Sequence, residues 1–113
     1  MPYGLSPRTQ KTLTSIFEKY PGIQKVILYG SRALGSYRPG SDIDITLCTG
    51  PAFTLSDLLR LMGDFDESDM PYLVDVSLYQ NLTNPELKAH IDSAGKILYS
   101  RTAAFEGKPV ESV

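Results

Sequence analysis

Apolar residues recur along this chain with two different periods, and the switches between them mark out its elements. Over residues 6–20, Leu13, Ile16, Phe17 and Tyr20 fall at helical spacing, with Ser6 placed to cap and Pro7 in the first turn; Pro21-Gly22 ends the helix. Residues 23–29 form an apolar, β-branched run that reads as a buried strand. A short helix over residues 31–35 and a Pro/Gly loop over residues 37–41 lead into a strand at 42–48. A second long helix follows at 54–66, with Leu55, Leu58, Leu59, Met62 and Phe65 as its apolar stripe. Residues 72–79 form a third strand, and residues 84–94 a third long helix with Asn84 as cap and Pro85 in its first turn. Gly95 ends that helix and residues 96–99 form a short fourth strand. Strands alternating with helices predict an α/β domain over residues 1–100, a mixed β-sheet of about four strands with helices packed on one face. Residues 101–113 carry Gly and Pro with little periodicity and read as a tail.

At 113 residues the chain is sized for one domain with its own core. A net charge of -2 lacks the basic surplus of a nucleic-acid binder. There is no apolar run near the roughly 20 residues of a membrane span, and no signal segment opens the chain. Cys48, the single cysteine, has no partner for an internal disulfide and no metal-ligand spacing around it, so a reducing cytoplasm is the expected setting.

The candidate chemistry lies between the first two strands. Gly30 follows the first strand, and glycine lets a backbone adopt positive φ and approach a ligand closely. The residues after it can start a helix whose free N–H groups suit an anion. Ser31 adds a hydroxyl and Arg32 a forked cation, both suited to phosphate oxygens. The stretch Gly30-x4-Gly35-Ser36 also looks like a P-loop, but Ser36-Tyr37 stands where that loop needs Lys and then Ser or Thr. Along the second strand Asp42, Asp44, Thr46 and Cys48 share one face, leaving Ile43, Ile45 and Leu47 for the core. Two carboxylates two residues apart repel, and a divalent cation such as Mg²⁺ relieves this. In the third strand Asp75 interrupts an apolar run, although aspartate is depleted in strands. If that strand lies beside the second, Asp75 joins Asp42 and Asp44 on one wall. His90 stands alone, far from the carboxylates in sequence, and reads as a surface or half-buried structural histidine.

Gly30-Ser31, ten residues, then Asp42-Ile43-Asp44, with a later strand Asp75, resembles the polymerase-beta-type nucleotidyltransferase superfamily. The small size and the wording Gly30-Ser31-Arg32-Ala33-Leu34-Gly35 with Ser41-Asp42-Ile43-Asp44 are similar to its minimal nucleotidyltransferases (MNT), often paired with a helical HEPN protein in toxin–antitoxin systems. The resemblance implies that Gly30 and Ser31 hold a triphosphate, and that Asp42, Asp44 and Asp75 bind metal, two Mg²⁺ ions, with Asp75 also activating the attacking hydroxyl. It implies transfer of AMP from ATP to a hydroxyl, most simply a tyrosine of a HEPN-type toxin, with the chain as antitoxin. The sheet domain occupies most of the sequence, so the acceptor is expected to come from a partner. Two alternatives stay open: modification of a small molecule with a separate binding subunit, and a non-catalytic antitoxin that neutralises its partner by binding alone.

Overall fold

The computed structural model describes residues 2–101; residues 102–113, most of the expected tail, lie outside the described residues. The elements run α1 (Pro7–Glu18), β1 (Ile23–Tyr29), α2 (Ser31–Leu34), β2 (Ile43–Thr49), α3 (Leu55–Glu67), β3 (Val74–Leu78), α4 (Pro85–Ala94) and β4 (Lys96–Ser100), with short 3-10 turns at Pro2–Gly4 and Tyr79–Asn81. Helix starts follow side-chain capping. Ser6 accepts the Thr9 N–H, Thr54 and Asp57 form a reciprocal capping box, and Asn84 accepts from the amides of Glu86 and Leu87.

The strands form one mixed sheet in the order β3-β2-β1-β4. β1 pairs antiparallel with β2 and β4, whereas β2 and β3 run parallel, joined by α3. Facing partners across a ladder share a side of the sheet. Val26 pairs with Leu47 and Leu28 with Ile45, and all four are fully buried in the core that Leu13, Ile16 and Phe17 of α1 and Leu61 and Phe65 of α3 complete. Phe17 meets the Phe65 ring edge-on at 6.1 Å between centroids. The stripe expected on α3 is only partly core: Leu58, Leu61 and Phe65 pack inward, while Leu55, Leu59 and Met62 are exposed. Leu61 wins because it lies three residues from Leu58 and four from Phe65, along one narrow seam toward α1.

One feature departs from helices packed on a single face. α1 and α3 cover the core side, but α4 lies on the other side of the sheet. Its Ile91 is buried outside the main core cluster, and Gly95 sits so close to β1 that a Cβ there would be 2.5 Å from Ile27 Cγ2. Ile27 pairs with Thr46 and Tyr29 with Asp44, so α4 shares its face with the β2 carboxylate. Among the described residues no helix is long and apolar enough to cross a membrane.

Candidate active site

The site begins where β1 ends. Gly30 has φ 77° and ψ -156°, a conformation open in practice only to glycine, and it occupies the N-cap position of α2 with no side-chain cap. Ser31 is therefore the first helical residue and not the cap. A Cβ on Gly30 would lie 2.6 Å from Asp44 Oδ2. The backbone turn and the strand carboxylate are thus in direct apposition, with no room for a side chain between them.

Asp44 pairs with Tyr29 on one side and with Asp75 on the other. Asp42 comes just before β2, an exposed residue two positions before Asp44, and Asp75 is exposed on β3, whose outer edge is unpaired in the sheet. Half-burial raises the Asp44 carboxyl above its ordinary value of 3.8, and the negative charges of Asp75 and Asp42 push the same way, against the cation of Arg32. Tyr29 reports the same field: burial raises its phenol, a hydrogen bond with Ser77 lowers it, and Asp44 and Asp75 raise it. The sheet therefore brings together a wall of concentrated negative charge beside a glycine turn.

That donor set suits a hard cation, since all three groups supply oxygen. The side chains do not form a closed cage: among the described residues no three His, Cys, Asp or Glu groups stand close enough to enclose a metal ion. A closed cage is not required, because Mg²⁺ takes only one or two protein carboxylates and completes its shell with water and substrate phosphates.

Arg32 is not where a phosphate ligand would be. Its side chain is buried, 2 % exposed, and points into the scaffold. Nη1 donates to the Tyr3 carbonyl at 2.8 Å, Nη2 to that of Ser41 at 2.7 Å, and Nε to those of Ser41 and Asp42 at 3.2 and 3.3 Å. The guanidinium lies against the rings of Tyr72 and Tyr37, 4.6 and 5.1 Å from their centroids. The expected phosphate contact is corrected to a structural one: the planar fork matches converging carbonyls, and each of its three nitrogens donates to them. Arg32 fixes the backbone that delivers Asp42 to the wall. Arg32→Lys keeps the charge but loses the fork, and a cost of roughly 2–4 kcal/mol is expected, because charge-assisted hydrogen bonds of about 1.5–3 kcal/mol each are lost together without adding fully. Denaturant unfolding measures it, and an unchanged midpoint would contradict the structural role.

Three further residues reach this site without having been expected there. Tyr29 and Ser77 sit on the acidic face, at positions next in register to the carboxylates. The Gly30 N–H donates to His90 Nε2 at 3.1 Å, and the imidazole meets the Tyr29 ring edge-on at 6.2 Å. The signal for Tyr29 was available: it precedes the glycine and alternates with buried Leu28. For His90 it lay in topology, since β4 returns antiparallel to β1 with Lys96 opposite Leu28 and so drops the end of α4 over the turn. Elsewhere, Asp64 of α3 is used structurally: it accepts from the Tyr20 hydroxyl at 2.5 Å and pairs with Lys19 at 3.0 Å. A groove of about 470 Å³ between α1 and α3 lies on the opposite side of the sheet from the carboxylates.

Comparison with known proteins fits this arrangement. Among curated proteins none matches the sequence. Among solved structures, the chain is similar to a toxin–antitoxin complex with AMP-PNP, at 20 % identity and a TM-score of 0.65 over 86 % of this chain and 77 % of that one. It is similar also to a mutant of the toxin–antitoxin MntA-HpeT, at 22 % identity and a TM-score of 0.62 over 90 % and 78 % of the two chains. A third likeness, at 18 % identity and a TM-score of 0.53 over 86 % and 74 %, is to a tri-AMPylated Shewanella oneidensis HEPN toxin in complex with MNT antitoxin. At these identities the likeness is one of fold. The family described as polymerase beta, nucleotidyltransferase, matches residues 11–104, and with most of its length covered the chain belongs to that family of nucleotidyltransferases.

Proposed function

We propose that this protein transfers AMP from ATP to a hydroxyl group, in the first place a tyrosine of a HEPN-type partner, and that this modification neutralises the partner as a toxin. The observation that carries the reading is the apposition of the Gly30 turn and the Asp44 carboxylate, with Asp75 next in register. Phosphate and its counter-cation need such neighbours: backbone N–H groups and a hydroxyl on one side, carboxylates on the other. The structural likeness to a tri-AMPylated HEPN toxin in complex with MNT antitoxin, and to a toxin–antitoxin complex with AMP-PNP, supports the choice of acceptor.

In this reading Gly30 and Ser31 hold the phosphates, and Asp42, Asp44 and Asp75 are the ligands for divalent metal. Mg²⁺, when bound with ATP, supplies charge neutralisation of the triphosphate. In the same reading Asp75, exposed on the rim strand, takes the proton of the acceptor hydroxyl as its oxygen bonds to the α-phosphorus. The bond from that phosphorus to the β-bridging oxygen breaks and pyrophosphate leaves. The chain's share of catalysis is positioning and electrostatics. Asp75→Asn is accordingly expected to lower turnover while leaving most nucleotide affinity, because the loss falls on the transition state.

Ser31→Ala separates a phosphate ligand from a plain helix residue. The N-cap is Gly30, so removing the Ser31 hydroxyl costs no capping bond. Loss of a hydrogen bond to a charged phosphate is expected to weaken ATP binding by roughly 1.5–3 kcal/mol, about tenfold to a hundredfold. Unchanged affinity by titration calorimetry would remove Ser31 from the site.

The acceptor is tested by incubating the protein with Mg²⁺, ATP and the HEPN-type protein encoded beside it, followed by peptide mass spectrometry. AMP on a partner tyrosine is the expected result. An unmodified partner together with adenylylation of a small alcohol would give the site a small-molecule acceptor instead.

A further inference from the structure

We propose that His90 is a positioning residue for the nucleotide: its imidazole holds the Gly30 N–H, and so the whole phosphate turn, in the conformation that receives ATP. The proposal rests on the nucleotidyltransferase reading of the turn. Glycine at this position provides room and positive φ, but it is also the residue whose backbone is freest to rotate. A turn that must present its groups to a ligand in one orientation needs a restraint from outside. His90 Nε2, 3.1 Å from the Gly30 nitrogen, is that restraint. Accepting there places the ring proton on Nδ1.

The imidazole is itself held. The Tyr29 ring packs against it edge-on at 6.2 Å between centroids. The next residue, Ile91, is 2 % exposed. Gly95, at the end of the same helix, is pressed against Ile27 of β1 with no space for a Cβ. α4 thus reaches across the otherwise polar face of the sheet and ends on the turn. Its placement there, away from α1 and α3, brings a hydrogen-bond acceptor to the glycine turn from the side on which Asp44 lies. His90 acts through Gly30, on binding geometry and not on bond-making.

Three proteins test this: wild type, His90→Leu and His90→Gln. Glutamine places Oε1 at about the reach of Nε2 and can accept the same hydrogen bond; leucine fills similar space and cannot. Without nucleotide, hydrogen exchange at the Gly30 amide is expected to quicken in His90→Leu and to return toward wild type in His90→Gln, with Tm little changed. The Kd for Mg-ATP is expected to rise about fivefold to tenfold in His90→Leu, the worth of one hydrogen bond, to recover in His90→Gln, and to leave kcat at saturating ATP near wild type. Equal Kd in wild type and His90→Leu overturns the proposal. A tighter Kd in His90→Leu also overturns it, by showing that the imidazole competes for the place of a phosphate oxygen. A wild-type protein that binds no Mg-ATP defeats the nucleotidyltransferase reading itself, and with it a role for His90 toward nucleotide.

Discussion

Asp44→Asn is expected to reduce AMP transfer by at least roughly a thousandfold, at the upper end of what one preorganised charge contributes to a transition state, while the protein stays folded. The separation of the two effects follows from the environment of this carboxyl. Half-burial and the nearby charges of Asp75 and Asp42 raise it above its ordinary value of 3.8. A group raised on folding binds its proton more tightly in the native state than in the unfolded chain, so its contribution to stability is present below the unfolded value and lost as pH rises through the raised one. Once ionised, Asp44 is therefore a cost to the fold. Wild type should gain stability on mild acidification toward the ordinary carboxylate range, and Asp44→Asn should lack that gain and be no less stable at pH 7. Mg²⁺ should raise the Tm of wild type more than that of the variant. Thermal unfolding against pH, with and without Mg²⁺, checks all three. Retained transfer activity in Asp44→Asn would remove the carboxylate from the site.

Substitution of Gly30 is expected to do the second largest damage, and through two routes. At φ 77° and ψ -156° any other residue is strained, by about 1–3 kcal/mol, which for a domain of this size lowers Tm by roughly 5–20 °C. The added Cβ also falls 2.6 Å from Asp44 Oδ2 and must drive the carboxylate out of position. Gly30→Ala should thus lose both nucleotide affinity and turnover, with Gly30→Val worse in each. An alanine variant with wild-type Tm and Mg-ATP affinity would show that the turn tolerates a side chain and is not the close-approach point described.

Much of this was legible in the sequence because it rests on local rules. Capping fixed the helix starts at Ser6 and Asn84, where side-chain oxygens meet amides within three residues. Strand alternation placed Ile43, Ile45 and Leu47 in the core and Asp44 on the other face, and only the parallel register of β3 was needed to bring Asp75 beside it. What was not legible depends on contacts between distant segments. Arg32 reads as a phosphate ligand until the Tyr3, Ser41 and Asp42 carbonyls converge on it. Nothing within one turn of His90 tells that its Nε2 meets an amide sixty residues away in sequence. The side of the sheet chosen by α4 follows from a short apolar contact, Ile91 and Gly95 against β1, and not from a strong amphipathic stripe. The exposed leucines of α3 show the same limit, since a wide apolar pattern on a helix does not say which part of it the neighbouring helix will cover.

The claim that the Gly30 turn and the Asp42, Asp44 and Asp75 wall move AMP onto a protein hydroxyl is tested most directly by following the two ends of ATP separately. The protein is incubated with Mg²⁺ and the HEPN-type partner, once with ATP labelled at the α-phosphate and once at the γ-phosphate. The account predicts α-label on the partner, γ-label released as pyrophosphate, and no label on the partner with Asp44→Asn. Label carried from the γ-phosphate, or α-label that persists undiminished in Asp44→Asn, would contradict it.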